Sequence, residues 1–387
     1  MLVTHIPEIL ELIARFADAD TLLSLRLVSH LHHKTSLQAF ATAWFAILDT
    51  DLSPSSIAKL HRIASNDIFA RAVRTVRVRI GRRRSIRRDW PRTKQGALDL
   101  SSPSAQMFLR SLCSFTLCNG LELTDVSEVA HSFNFRPVPT VPEVLYLLLS
   151  LFTLGGGPPI SSVRLIEKAQ VVVSKGGVHA LRDMTRSPAF KEAWGSRVLH
   201  FEYRARRSSL SMNQVLSMIE GATLLRSLSL TLEPPWAGML LFSLSVSPVV
   251  QPITTLALTS LTLSPGVLAS VIAHYRKTLT SLTLACVCLY SHNVAWFNFF
   301  DLVMEAEFLR LKEIRLVKLR SGRPSEPVYF YPLLSMLEVF KESGGRFELQ
   351  LEPNTTLYPN LRYRGPPESM RLALGTLRGW TSVQNAS

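Results

Sequence analysis

Four cysteines, a cluster of histidines and a run of arginines are the residues of this 387-residue chain whose types and spacing bear most on chemistry. Cys113 and Cys118 stand in C-x4-C spacing, and Cys286 and Cys288 in C-x-C spacing far along the chain. Neither spacing is that of a disulfide framework or a zinc ribbon, so they read as reduced thiols. His30, His32 and His33 fall on a predicted helix where His30 and His33 share a face, with no Cys, Asp or Glu close by. They read as surface or partly buried histidines. The glycine run GGGPP at 155–159 lacks the lysine and hydroxyl that phosphate chemistry requires, and neither G-x-S-x-G nor H-E-x-x-H occurs. The acids are scattered, with no pair spaced for general acid–base work. The chain is therefore not expected to be an enzyme, and no cofactor or metal is implied.

The arginines are more informative. Between Arg71 and Lys94 stand eleven basic residues against one acid, Asp89, so this window supplies +10 of the formal +14. Within it RRRSIRR carries Arg82, Arg83, Arg84, Arg87 and Arg88, a candidate nuclear-import or anion-binding patch. Like charges at this density also repel and favour a solvated loop, expected over about 81 to 104. Trp90 is the only aromatic in the block, so the interleaved stacking platform of a single-strand binder is missing, and a nucleic-acid partner is the lesser reading.

The elements that position these residues follow from a recurring six-residue frame, apolar at its first, fourth and sixth positions. Clear copies are LRSLSL from Leu225, ITTLAL from Ile253, LTSLTL from Leu279 and LKEIRL from Leu311. Weaker copies are VRTVRV from Val73, LCSFTL from Leu112, ISSVRL from Ile160 and VLHFEY from Val198. Alternation at period two describes a short strand with one buried face. Between the later copies lie helical stretches. One is SPGVLASVIAHYRKT, in which Ser264 caps and Pro265 occupies the first helical position. The pattern predicts an irregular α/β solenoid of leucine-rich-repeat type, its later copies spaced by 26 to 32 residues and its last strand ending near 351. Regular repeats of that type carry Asn or Cys three residues beyond the frame. Here that place holds Glu233, Leu261, Val287 and Leu319, so the loops must satisfy their backbone groups in another way.

At the start of the chain, Pro7 suits a first helical position, and Ile9, Leu10, Leu12, Ile13 and Phe16 follow at helical spacing. Asp18 or Asp20 can cap a second helix carrying Leu22, Leu23, Leu25 and Val28, and a third is predicted from about His30 to Trp44. Three helices in so short a stretch make a small core that leans on something else. The stretch IPEILELIARFADADTLLSLRLVSHLHH resembles an F-box. Ile6-Pro7 stands for its Leu-Pro, Glu8, Ile9 and Leu10 follow, and Leu22, Leu25, Val28 and Ser29 match its later Leu-x-x-Leu-x-x-Val-Ser. The chain departs from the pattern at Ile6 and at His32, where many members carry tryptophan. An F-box followed by degenerate leucine-rich repeats is similar to the layout of many fungal F-box proteins.

The resemblance implies the substrate-recognition subunit of a Skp–cullin–F-box ubiquitin ligase. Its partners would be the Skp adaptor, through it a cullin, and an unidentified protein substrate held by the repeats. It implies adaptor contacts at Ile6, Pro7, Ile9, Leu10, Leu22, Leu25 and Val28. The alternatives are a repeat scaffold unconnected to ubiquitin, or a nucleic-acid binder using Arg71–Lys94. The expected domains are an F-box-like unit over 1–45, a helical connection over 46–70 and the repeat domain over 71–380. Glu8 and Glu11 interrupt any secretory apolar stretch, and VLYLLLSLFTL from Val144 is too short to span a bilayer. No membrane partner is expected, and the location reads as intracellular, cytoplasmic or nuclear.

Overall fold

Seven of the eight copies of the recurring frame land on parallel strands. The computed structural model describes residues 7–80, 90–125, 139–154, 157–167, 175–205, 208–233, 236–290, 295–322, 345–350 and 360–382. They form a mixed α/β protein that divides into two compact units, Met1–Phe190 and Lys191–Ser387.

The first unit begins with three helices, α1 (Pro7–Phe16), α2 (Ala19–Val28) and α3 (His30–Phe45). Strand β1 (Ile47–Thr50) and helices α4 (Pro54–Ala64) and α5 (Asp67–Ala72) follow. Then come β2 (Thr75–Ile80), α6 (Pro103–Cys113), β3 (Gly120–Asp125), α7 (Val141–Leu149), β4 (Ser162–Glu167) and α8 (Lys175–Arg186). Its strands pair in parallel in the order β1-β2-β3-β4. A helix α9 (Pro188–Gly195) contains the division between the units.

Three expectations are corrected here. The stretch 46–70 is not only a helical connection, because β1 lies in it with Leu48 in register with Val76. LCSFTL from Leu112 is not a strand: Leu112 is in the last turn of α6 and Phe115 is buried in the turn beyond it. The strand is GLELTD, with Leu121 in register with Val76 and Val163. An apolar helix end mimicked the frame. Nor are residues 90–104 an exposed loop. Trp90 and Leu98 are buried, the Arg92 guanidinium donates to both carboxylate oxygens of fully buried Glu143 (2.9 and 3.2 Å), and Ser102 caps α6.

The second unit contains β5 (His200–Ala205), α10 (Met212–Gly221), β6 (Ser227–Leu232), α11 (Trp236–Ser245), β7 (Thr255–Thr259) and β8 (Thr262–Leu263). It continues with α12 (Pro265–His274), β9 (Ser281–Ala285), β10 (Cys288–Leu289), α13 (Ala295–Glu305), β11 (Glu313–Val317) and β12 (Arg320–Ser321). It closes with β13 (Arg346–Gln350), β14 (Asn360–Arg364) and α14 (Met370–Ser382). Strands β5, β6, β7, β9 and β11 are parallel neighbours in that order. Beside β11 lies β14, antiparallel, then β13, so the last strand among the described residues is Asn360–Arg364 rather than one ending near 351. Helices α10 to α14 pack as consecutive neighbours.

The register aligns Phe201, Leu228, Leu256, Leu282 and Ile314, all buried. Two consecutive amides at each strand entry converge on one carbonyl of the preceding strand segment. Thr254 and Thr255 donate to Arg226 (2.8 and 3.0 Å), and Thr280 and Ser281 donate to Thr254 (2.8 and 3.0 Å). This carries the ladder one residue ahead of each strand's first paired residue.

The same device answers how loops without the ladder asparagine satisfy their backbone. Directly after β7, β9 and β11, Ser260, Cys286 and Lys318 take left-handed φ values of 57°, 54° and 50°. That costs strain at a residue other than glycine. The reversal aims Leu261, Val287 and Leu319 into the core and starts the two-residue strands β8, β10 and β12, which pair in parallel. Amides of Ser260 and Cys286 donate to Ala285 and Val317 (2.9 and 2.8 Å), and those of Cys288 and Arg320 donate to Leu261 and Val287 (2.8 and 2.9 Å). Backbone pairs with backbone, and apolar residues occupy the places that side-chain amides would otherwise fill.

Candidate functional site

The N-terminal helices present the most unusual surface among the described residues. Asp18 caps α2, its carboxylate accepting from the Thr21 amide at 2.8 Å, and Ser29 caps α3. These two stops fold three helices into a short stretch, α1 and α2 each packing on α3. Their shared core is Ala14, Leu22 and Phe40, with Phe45 and Phe69 packed against it and the Arg26 guanidinium 3.8 Å from the centre of the Phe40 ring.

That core is too small to cover the apolar residues around it. Helix α1 buries only Leu10 and Ala14. Ile9, Leu12, Ile13 and Phe16 are separated by three, four and seven residues and so share the opposite stripe. Each is more than half exposed, Phe16 at 85%. On α2, Leu27 is 88% and Val28 64% exposed, and Leu23 on α2 and Leu31 in the first turn of α3 are partly uncovered. Isolated exposed leucines are ordinary, but a contiguous stripe at helical spacing marks an interaction surface.

The residues expected to touch an adaptor therefore divide. Pro7, Ile9 and Val28 are exposed and Leu25 is half-buried. Leu10 and Leu22 are core residues, and no partner reaches them without opening the helices. Ile6 lies outside the described residues. Leu12, Ile13, Phe16 and Leu27 are the larger part of the surface and were missing from the expected set. Phe16 and Leu27 carried a signal, since each continues an apolar spacing at the end of its helix.

The other expected groups are less active. Arg82, Arg83, Arg84, Arg87 and Arg88 lie outside the described residues. His32 lies 2.9 Å from the Ser29 hydroxyl through Nδ1, at the start of α3. Among the described residues no group of three or more His, Cys, Asp or Glu stands close enough to hold a metal ion, and none of the four cysteines is in a disulfide. Burial pushes the Cys118 thiol up to about 11, which keeps it protonated at neutral pH. No helix among the described residues is long and apolar enough to cross a membrane.

Sequence reasoning also missed the chemistry of the strands' other face in the second unit. On β6, β7 and β9 every residue of that face is Ser, Thr or Ala. On β11 and β14 the face turns basic, with Arg315 opposite Arg362 and Glu313 opposite Arg364. The period-two frame specifies the buried residues and is silent about the alternate ones. The chain matches no protein-family model and no curated protein.

Proposed function

We propose that this chain is the substrate-recognition subunit of a Skp–cullin–F-box ubiquitin ligase. Helices α1 and α2 dock the Skp adaptor, and the following strand–helix units form a leucine-rich-repeat-like solenoid that holds a protein substrate. The observation that carries the reading is the uncovered stripe Ile9, Leu12, Ile13 and Phe16 beside Leu27 and Val28. A folded unit that leaves this much apolar side chain in water gains by burying it against a partner, at about 25 cal/mol per Å² removed from solvent. The F-box resemblance falls on the same two helices. The receptor itself performs no chemistry; it positions a substrate for the ligase to modify.

Co-purification of the full chain with a Skp adaptor tests this. The wild-type chain should retain the adaptor, and a Phe16→Asp, Leu27→Asp double variant should lose it while keeping its circular-dichroism spectrum. Both positions are exposed, so the charges disturb a docking surface and not the core. A wild-type chain that retains no adaptor would favour the other reading, a repeat scaffold unconnected to ubiquitin.

A further inference from the structure

The second unit's sheet face has a chemical polarity that nothing in the adaptor-docking helices uses. We propose that this face, centred on β11 and β14, docks an acidic polypeptide segment rich in Asp and Glu. The proposal rests on the substrate-receptor reading and names the class of substrate.

The strand register builds two adjacent rows across β9, β11 and β14. Ser281, Glu313 and Arg364 form one, and Thr283, Arg315 and Arg362 the other. Glu313 is shared: Arg362 donates to one of its oxygens and Arg364 reaches the same oxygen at 3.4 Å. Arg315 is exposed, stands directly opposite Arg362 and makes no ion pair among the described residues. Beyond β14 the rows continue onto β13 with Arg346 and Glu348, themselves an ion pair, so the face carries four guanidiniums against two carboxylates and keeps an excess of positive charge. Guanidinium groups match carboxylates in bidentate geometry, so the occupant they fit brings its own carboxylates.

The neighbouring floor narrows the choice. Ser and Thr hydroxyls on β6, β7 and β9 both donate and accept, which suits the amide and carbonyl groups of an extended peptide. They add no charge that would repel it. A nucleic acid fits less well. The Glu313 carboxylate stands inside the arginine cluster against any row of phosphates, and the described positions of this face on β6, β7, β9 and β11 hold no aromatic ring for bases to stack on.

The experiment is fluorescence anisotropy of a labelled peptide of alternating Glu and Ser, titrated with the full chain at low salt. Because RRRSIRR also attracts acidic peptides, an Arg82→Gln, Arg83→Gln, Arg84→Gln variant is measured in parallel. Arg315→Glu should weaken binding by about tenfold or more, as expected for reversing an unpaired charge at an electrostatic interface. The block variant should retain most of the affinity. Should Arg315→Glu lower the melting temperature, Arg315→Gln serves, with a loss of about threefold or more. Affinity unchanged in both Arg315 variants, or lost only in the block variant, overturns the proposal. So does displacement of the peptide by single-stranded oligouridine that Arg315→Glu abolishes, which would give the surface to nucleic acid. A chain that binds this peptide through Arg315 yet ignores the Skp adaptor removes the ubiquitin reading alone. The reverse result removes only this surface.

Discussion

The N-terminal helices and the strand–helix units of the second unit are built from the same leucines and isoleucines, and they treat them oppositely. In the second unit β6, β7 and β9 each pair with a strand on either side, β11 lies between β9 and β14, the helices pack as consecutive neighbours, and Leu228, Leu256, Leu282 and Ile314 are almost fully buried. In α1 and α2 a core of Ala14, Leu22 and Phe40 covers one side and leaves Ile9, Ile13, Phe16 and Leu27 in solvent. Apolar periodicity identifies a face that seeks cover. Whether the cover comes from the same chain or from another depends on how many neighbours the fold supplies. Stacked units supply two, and a helical stretch at the beginning of the described fold supplies one.

The largest effect that could break this comparison is on stability. Leu282→Ala should cost about 3 kcal/mol or more, because its cavity is walled by ordered neighbours on both sides. Phe16→Ala, a larger truncation on paper, should change stability by no more than about 0.5 kcal/mol. Urea unfolding of the two variants measures both. A Phe16→Ala loss as large as that of Leu282→Ala would mean that the α1 stripe is covered within the chain.

A smaller effect concerns pH. The Thr21 amide and hydroxyl hold the Asp18 carboxyl below its ordinary value of 3.8. A depressed carboxylate pKa contributes stability that is complete above the ordinary value and is lost as pH falls through the folded one. Protection of the Thr21 amide against hydrogen exchange should therefore fall on acidification through that range, while amides of β9, whose ladder bonds run from backbone to backbone, keep theirs. Equal loss at both places would contradict the independence of the two regions.

Much of this was legible in the sequence, and the failures have physical causes. The frames from Leu225, Ile253, Leu279 and Leu311 were readable because each strand is half-buried and bounded by a helix with its own signals, such as the Ser264 cap on α12. β1 escaped because ILDT is four residues long with only Leu48 and Thr50 buried, too short for alternation to register. β3 was displaced onto LCSFTL because Leu112 and Phe115 at a helix end copy the spacing of a strand entry. The left-handed turns at Ser260, Cys286 and Lys318 were not legible, since none is a glycine or an asparagine. At the site, the spacing of Ile9, Leu10, Ile13 and Phe16 specified a helix with a broad apolar surface. It did not specify that Leu10 faces inward and Phe16 outward, which depends on where α3 crosses α1.

The central claim is that the outward stripe is an adaptor-docking surface, and its most direct test is the dissociation constant of the full chain for the Skp adaptor before and after Ile13→Ala with Phe16→Ala. Truncating two anchors of a standard interface costs on the order of 2 kcal/mol each, so the double variant should bind at least a hundredfold more weakly while unfolding at nearly the wild-type urea concentration. An unchanged dissociation constant in a protein that still folds would contradict it.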